Sequence, residues 1–456
     1  MSWAAKELAQ VDLGDQRLNR RSQKLLQQLG DQPTHSRPTA CGGWAETLGA
    51  YRLLANDKVS PQKILAPHAE STVQRMAEHE LIVCVADSTE FDHTKQQQTM
   101  QGLGPLNYRL RRGQLGHFLL AVTPKRVPLG VLGADLWVRD DAHFGERNAR
   151  QKKSLEEKET GRWVSMVKQC KKLATKLPRT RLIYVGDREA DIHELLLEVT
   201  GGQIDCVVRV KNDRVQPAET LSVRQAVASR EPLGAIDFDI PATDKRAARH
   251  VHACVRSARV TLRGPRRLGA GRLADIVINV VHVCEPDCPP SEEPIEWFLY
   301  TTWPVETLEQ SVRAIEIYRC RWTIEVFFRV LKTGCKIEDM QFHHIDRVSA
   351  ALAFYLIIAW RVLFMTMIGR ASPDLPCDII FATVEWHAIH IVTQRTPPPK
   401  TPPPLAQLVR MMATFGGFLN RKCDGFPGPQ SIWVGLQRTR DFVLALEANK
   451  LAARCV

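Results

Sequence analysis

Residues 81–89 read LIVCVADST, and residues 181–199 read RLIYVGDREADIHELLLEV. The first is an unbroken apolar run rich in β-branched residues, and it ends in Asp87. That pattern marks a strand buried on both faces. The second predicts a buried strand over 182–185 that runs into Gly186 and Asp187, with a helix at once behind it. HFLLAVTP (117–124) and PLGVLGADLWVR (128–139) are strand candidates in a meander, and DCVVRVKND (205–213) is one more. Strands followed by a strand–helix–strand predict an α/β fold with a mixed sheet. In such sheets function gathers at the carboxyl ends of strands. Asp187 and Asp191 have a plain reading as first-turn acids facing a helix dipole. Asp87, at the end of a buried strand, needs a partner or a metal.

Outward from this core, residues 1–75 read as helical, with a break at Gly14 and Asp15. Arg17, Arg20, Arg21 and Lys24 lie mostly on one side of the second helical segment. They suit either a solvated face or the DNA backbone. Residues 154–177 are charged and helix-like. Residues 212–303 switch to β-like text (HVHACVRSARVTLRG, LADIVINVVHVCEP, IEWFLYTTWP) and read as an all-β insertion. Arg246, Arg249, Arg256, Arg259, Arg263, Arg266, Arg267 and Arg272 make it basic. Residues 350–367 are the most apolar run, interrupted by Arg361, and read as a buried core helix. PPPKTPPP (397–404) reads as a semi-rigid linker, and 405–456 as a last helical piece.

The chain has 456 residues and a net charge of +12, which favours a polyanionic partner, nucleic acid before membrane. Its 12 cysteines contain no CxxC pair and fit neither a zinc site nor a disulfide framework, so they read as reduced thiols in a cytosolic protein. The first residues carry no secretory apolar stretch.

Residues 318–332, YRCRWTIEVFFRVLK, fall in a predicted helix over 306–332. At about 100° per residue from Tyr318, Arg321 falls at about −60°, Glu325 at about −20°, Lys332 at about −40° and Arg329 at about +20°. A solvated stripe with an i,i+4 ion pair is the commoner meaning of such a face. Beside Asp87 and Asp187, Glu325 makes a third carboxylate. Three carboxylates without a His or Cys cluster favour a hard cation such as Mg²⁺ or Mn²⁺. With a basic chain, these pieces point to a metal-dependent nuclease or polynucleotidyl transferase.

The motifs ADST (86–89), VGDREADIH (185–193) and YRCRWTIEVFFRVLKTG (318–334) resemble those of the bacterial DDE transposases of the insertion-sequence-four family, the group of the transposon-five transposase. The family's Tyr-x2-Arg-x3-Glu-x6-Lys signature is met by Tyr318, Arg321, Glu325 and Lys332. LGDQR (13–17), GAYR (49–52), EKETGRW (157–163) and GPQSIWVGLQR (428–438) are similar to further family stretches.

The resemblance implies an RNase H-like catalytic core over 76–345, interrupted by the β insertion. It implies a helical DNA-end-binding domain over 1–75 and a helical, dimerising region over 346–456. It makes Asp87, Asp187 and Glu325 a catalytic, metal-binding triad for Mg²⁺, with Mn²⁺ as substitute. Tyr318, Arg321 and Lys332 would contact phosphates, Arg209 and Lys211 a basic strand end touching DNA, and Arg188 a phosphate or an acid. Trp297 would stack on a flipped base, with Trp303 as rival and a core aromatic as the plain reading. Glu90, Asp92, Glu189 and Asp191 are nearby acids that either ligate metal or only repel, Arg214 would join Arg209 and Lys211, and Arg329 shares the face without a place in the signature. The implied activity is cut-and-paste transposition by a homodimer on double-stranded DNA, both terminal inverted repeats and target, in the bacterial cytoplasm at the nucleoid, with no membrane partner. A DNA-binding relative without activity and a nuclease without strand transfer stay open.

Overall fold

The computed structural model describes residues 2–145, 155, 157–216, 221–240, 248–267, 271–290 and 292–452. Ser154, Arg246 and the last four residues of the C-terminal helical piece lie outside them.

Five helices open the chain: α1 (Trp3–Glu7), α2 (Gln16–Asp31), α3 (Arg37–Cys41), α4 (Trp44–Leu54) and α5 (Pro61–Met76). Gly14 turns the backbone at φ +71°, which a side chain would strain, and Asp15 caps α2 by accepting from the Arg17 amide. Leu25, Leu26 and Leu29 bury one face of α2. The basic cluster divides: Arg21 and Lys24 both ion-pair with Glu46 of α4, while Arg17 and Arg20 face solvent.

The sheet follows, from β1 (Leu81–Asp92), β2 (Gly104–Pro105), β3 (Arg112–Val122) and β4 (Pro128–Trp137) through α6 (Gly161–Lys176), β5 (Arg181–Gly186), α7 (His193–Val199) and β6 (Asp205–Arg209). β1 pairs antiparallel with β3, and β3 with β4, while β5 pairs parallel with β1 and β6 parallel with β5. The resulting order, β4-β3-β1-β5-β6, is the RNase H-like arrangement. Alternate residues of β1 face two apolar layers. Val83 and Val85 join the core shared with the C-terminal helices, and Ile82, Cys84 and Ala86 the core under α6. Two-sided burial explains the unbroken apolar text.

The insertion carries α8 (Val223–Ala228), β7 (Gly234–Ile240), β8 (Arg249–Leu262), β9 (Arg266–Arg267), β10 (Gly271–Arg272), β11 (Ile276–Cys284) and β12 (Glu296–Thr301). Its β-like text holds one short helix, α8, closed by a Ser222–Gln225 capping box. β12 pairs antiparallel with β6, so β12, β11, β8 and β7 extend the same sheet, which reaches ten strands among the described residues. An unpaired edge on β6 would leave backbone groups open, and the insertion closes it.

The predicted helix over 306–332 is instead α9 (Leu308–Arg319), a turn at Cys320 and Arg321, α10 (Trp322–Arg329) and one π turn (Val330–Gly334). At the turn the amides of Arg321 and Thr323 donate to Tyr318 and Cys320, three residues back instead of four. That tightening re-aims α10 relative to α9. The long helix α11 (Ile345–Ala371) is apolar enough to cross a membrane by length and composition, but 83% of its apolar window is buried inside the protein. It is the core helix, and α12 (Thr383–Gln394), α13 (Leu405–Thr414) and α14 (Pro429–Ala452) pack around it. The Pro-rich stretch is not a free spacer: Pro403 O accepts from Cys377 N–H, and Leu405 N–H donates to Leu375 O.

Candidate active site

The last residue pair joining β1 to β5 is Val85↔Val185. Asp87 and Asp187 each stand two residues further on, so they fall side by side on one face where neighbouring strands lie about 4.8 Å apart. β1 itself continues to Asp92, so Asp87 marks the end of parallel pairing and not the end of a strand. Asp187 leaves β5 extended, and its Oδ1 accepts from the Glu189 amide at 2.7 Å. It thus also does the capping work of the plain reading.

α10 brings the third carboxylate. Arg321 is buried, and its guanidinium donates to Asp87 Oδ2 at 3.2 Å and to Glu325 Oε1 at 2.5 Å. Asp87 holds its proton up to a pKa of about 7, because burial and then the Asp187 charge outweigh Arg321 and the Ser88 amide, with Glu325 adding to the rise. Asp87 therefore feels both of the other carboxylates, and one guanidinium joins it to Glu325. Among the described residues no three His, Cys, Asp or Glu side chains are arranged to hold an ion as they stand. The crowded, oxygen-only donors nevertheless fit a hard cation, since their mutual repulsion is what such a charge relieves.

Tyr318 is buried beside this group and within hydrogen-bonding reach of Arg209. Burial first, then neighbouring Arg188 and Arg321, depress the Arg209 pKa, against the pull of the phenol. Arg188 and Lys211 are exposed at the same ends of β5 and β6. Trp297 is half-buried on β12, stacked on Phe238 (centroids 5.7 Å apart) and tilted against Tyr318 at 6.1 Å. Trp303 carries the Arg181 guanidinium 4.0 Å over its ring, at the opposite end of β5.

Lys332 departs from the helical arithmetic. It lies in the π turn that follows α10, and its Nζ lies 3.7 Å from Glu338 and over the Phe91 ring. Burial lowers its pKa against the attraction of Glu338 and Glu90.

The undecided acids separate. Asp191 is buried and accepts from the amides of Lys211 and Asn212 at 2.8 and 3.0 Å, and it pairs with Arg214 at 2.6 Å. It braces the exit of β6. Glu90 and Asp92 are both held by Arg111. Glu189 is raised by burial and by Asp187, with Lys211 opposing. Arg329 is exposed on α10.

Two neighbours went unread in the sequence. His117 is buried, pairs in register with Ser88, and meets Ser88 Oγ through Nδ1 at 2.9 Å. Burial pushes its pKa down to about 3, so it stays neutral and orients the strand beside Asp87. Trp322, 50% exposed, opens α10 beside the Arg321 guanidinium. A large aromatic next to the charged face of 318–332 was the available signal.

Family models match in chain order: transposase DNA-binding over residues 1–59, transposase DDE domain over 160–361, and transposase Tn5 dimerisation domain over 357–453. Asp87 falls outside these ranges, and strand register alone sets it beside Asp187. Among solved structures, a cryo-EM piggyBac transposase synaptic complex with hairpin DNA aligns with 81% of this chain and 72% of that one, at 7% identity and a TM-score of 0.37, too slight a likeness to argue from. With DNA-binding, DDE and dimerisation regions following one another along a mixed sheet flanked by helices, the chain belongs to the DDE transposases of the Tn5 type.

Proposed function

We propose that this transposase performs cut-and-paste transposition, using Asp87, Asp187 and Glu325 as its catalytic triad. The observation that carries the reading is the placement of Asp87 and Asp187 two residues beyond one parallel pair, with Arg321 joining Asp87 to Glu325. Divalent cations bound by these three carboxylates, Mg²⁺ with Mn²⁺ as substitute, would activate the attacking oxygen and neutralise the leaving one.

The chain's own groups do the rest. Arg321 offsets the carboxylate charge before DNA arrives and would turn towards a phosphate once DNA is bound. Arg209, Arg188 and Lys211 line the approach with three cations, a surface for the backbone of an element end, and the buried Tyr318 phenol would back Arg209 against a phosphate there. Lys332 serves a phosphate further along β1, where Glu338 holds it in the absence of DNA. Trp297 is a platform for an extruded base, whose unstacking costs a few kcal/mol that stacking partly returns. Trp322, which is exposed, is a second ring at the same site. The reaction is a series of in-line displacements: a nick at the element end, attack of the freed 3′-OH on the opposite strand, reopening of the hairpin, and joining to target DNA. Each end is held by one protomer of a dimer.

The test uses Asp87→Asn, Asp187→Asn and Glu325→Gln on duplexes bearing the terminal repeats that flank the gene. Each variant should bind these ends and fail to nick them in Mg²⁺. A variant that still nicks removes its residue from the triad. Binding without nicking by the wild type identifies a DNA-binding relative, and nicking without joining identifies a nuclease.

A further inference from the structure

A β-hairpin with an apolar tip stands beside the candidate site. β2 and β3 pair at Gly104↔Gly113 and Pro105↔Arg112. Residues 106–111 close the turn, with Leu106 N–H donating to Arg111 O at 3.0 Å and Arg111 N–H to Tyr108 O at 2.9 Å. The tip presents Tyr108, 71% exposed, and Leu110, 89% exposed, with exposed Arg109 between them. A single exposed apolar side chain needs no explanation, but two large ones around an arginine on one tip form a feature.

The foot of the hairpin is tied down. Asn107 N–H donates to Glu90 Oε1 at 2.6 Å, and Asn107 Oδ1 accepts from Arg139 at 2.9 Å. Arg111 Nε donates to Asp92 Oδ2 at 2.8 Å. These bonds make the tip a braced prong, and they give Glu90 and Asp92 a structural task. Glu90 lies three residues beyond Asp87, or about 10 Å along β1, so the prong stands within a few base pairs of a phosphate at the triad.

We infer that this hairpin is a wedge for duplex DNA, with Tyr108 and Leu110 entering the minor groove beside the cleaved phosphate and parting a base step, and Arg109 gripping the adjoining backbone. The inference rests on the DNA-cleaving reading above. Apolar wedges flanked by basic side chains are how proteins pry apart base steps from the minor groove. The arginine at the centre of this tip and the net charge of +12 favour a polyanionic duplex over a protein partner.

The experiment compares full-length wild type with Tyr108→Ala/Leu110→Ala and Arg109→Ala on duplexes bearing the terminal repeat that flanks the gene. Permanganate reactivity of thymines beside the cleavage position reads unstacking, and a gel reads nicking in Mg²⁺. The wild type should make one step reactive. The double variant should lose that reactivity and nick about tenfold more slowly or worse, since stacking on one base carries a factor of that size. Its melting temperature and elution volume should not move, because both side chains are exposed. Arg109→Ala should keep the reactivity and bind more weakly. A double variant that unstacks and nicks like wild type overturns the wedge alone. An altered oligomeric state without DNA also overturns it, assigning the tip to a second copy of this chain. A wild type that binds or nicks no DNA overturns the functional reading itself.

Discussion

Replacing Asp87 by Asn should abolish nicking and yet make the metal-free protein more stable at alkaline pH. Asp87 holds a pKa of about 7 in the fold against an ordinary 3.8. Its ionised form is therefore disfavoured in the folded state. The folded protein keeps the proton over that window while the unfolded chain releases it, so stability falls as pH rises from 3.8 through about 7. At 1.36 kcal/mol per pKa unit, the full loss is on the order of 4 kcal/mol. Asn carries no charge to lose, and the pull of Arg321 is already contained in the Asp87 value of about 7. The net expectation in EDTA at pH 8.5 is a gain on the order of 4 kcal/mol. At pH 4 the advantage should vanish or reverse, since Asp87 is then protonated in the fold. Urea unfolding of both proteins at several pH values, read by tryptophan fluorescence, measures the gap. Adding Mg²⁺ should stabilise the wild type and leave the variant nearly unchanged, because only the wild type retains the complete donor set. An Asn variant less stable than wild type at pH 8.5 in EDTA, or a gap that widens towards acid, would refute the electrostatic account of the site.

Three further outcomes follow from the same geometry. Arg321→Ala removes the cation that holds Asp87 down, so the acid limb of the nicking rate should move to higher pH; an unmoved limb means that Asp87 does not set it. Trp297→Ala should spare the first nick and impair hairpin formation, and equal losses at both steps, followed on denaturing gels, would assign the ring to packing against Phe238. Glu7→Gln should destabilise the chain by about 3 kcal/mol in urea unfolding, because buried His68 and Arg75 both bond that carboxylate, and the effect should fade in acid as the wild-type Glu7 itself protonates. A change under about 0.5 kcal/mol would show the cluster to be replaceable.

Much of the fold could be read because burial leaves a periodic trace. The β1 and β5 strands announced themselves through runs of apolar residues on both faces, and α11 through its length and near-total lack of charge. The insertion was legible as β text but not as part of the same sheet. Its pairing with β6 rests on contacts between Arg209 and Leu299, ninety positions apart, which no local pattern records. The break at Cys320 and Arg321 was invisible for a similar reason. Residues 306–332 have good local helical character throughout, and the three-residue spacing sits where Arg321 reaches Asp87 on a distant strand. The π turn that carries Lys332 was equally invisible, and it sets that side chain beside Glu338 and Phe91.

The sequence by itself determined the chemical inventory: carboxylates at Asp87, Asp187 and Glu325, cations and a phenol on one segment, and a basic surplus suited to DNA. These follow from composition and spacing, which survive any packing. The tertiary structure decided how the inventory is used. It set Asp87 opposite Asp187 by register, placed Arg321 between two acids, committed Asp191, Glu90 and Asp92 to bracing loops, and left Trp322 and the Tyr108–Leu110 tip in solvent. Such assignments depend on which charges are desolvated together and which remain in water, and that is settled only when strands and helices remote in the chain pack against one another.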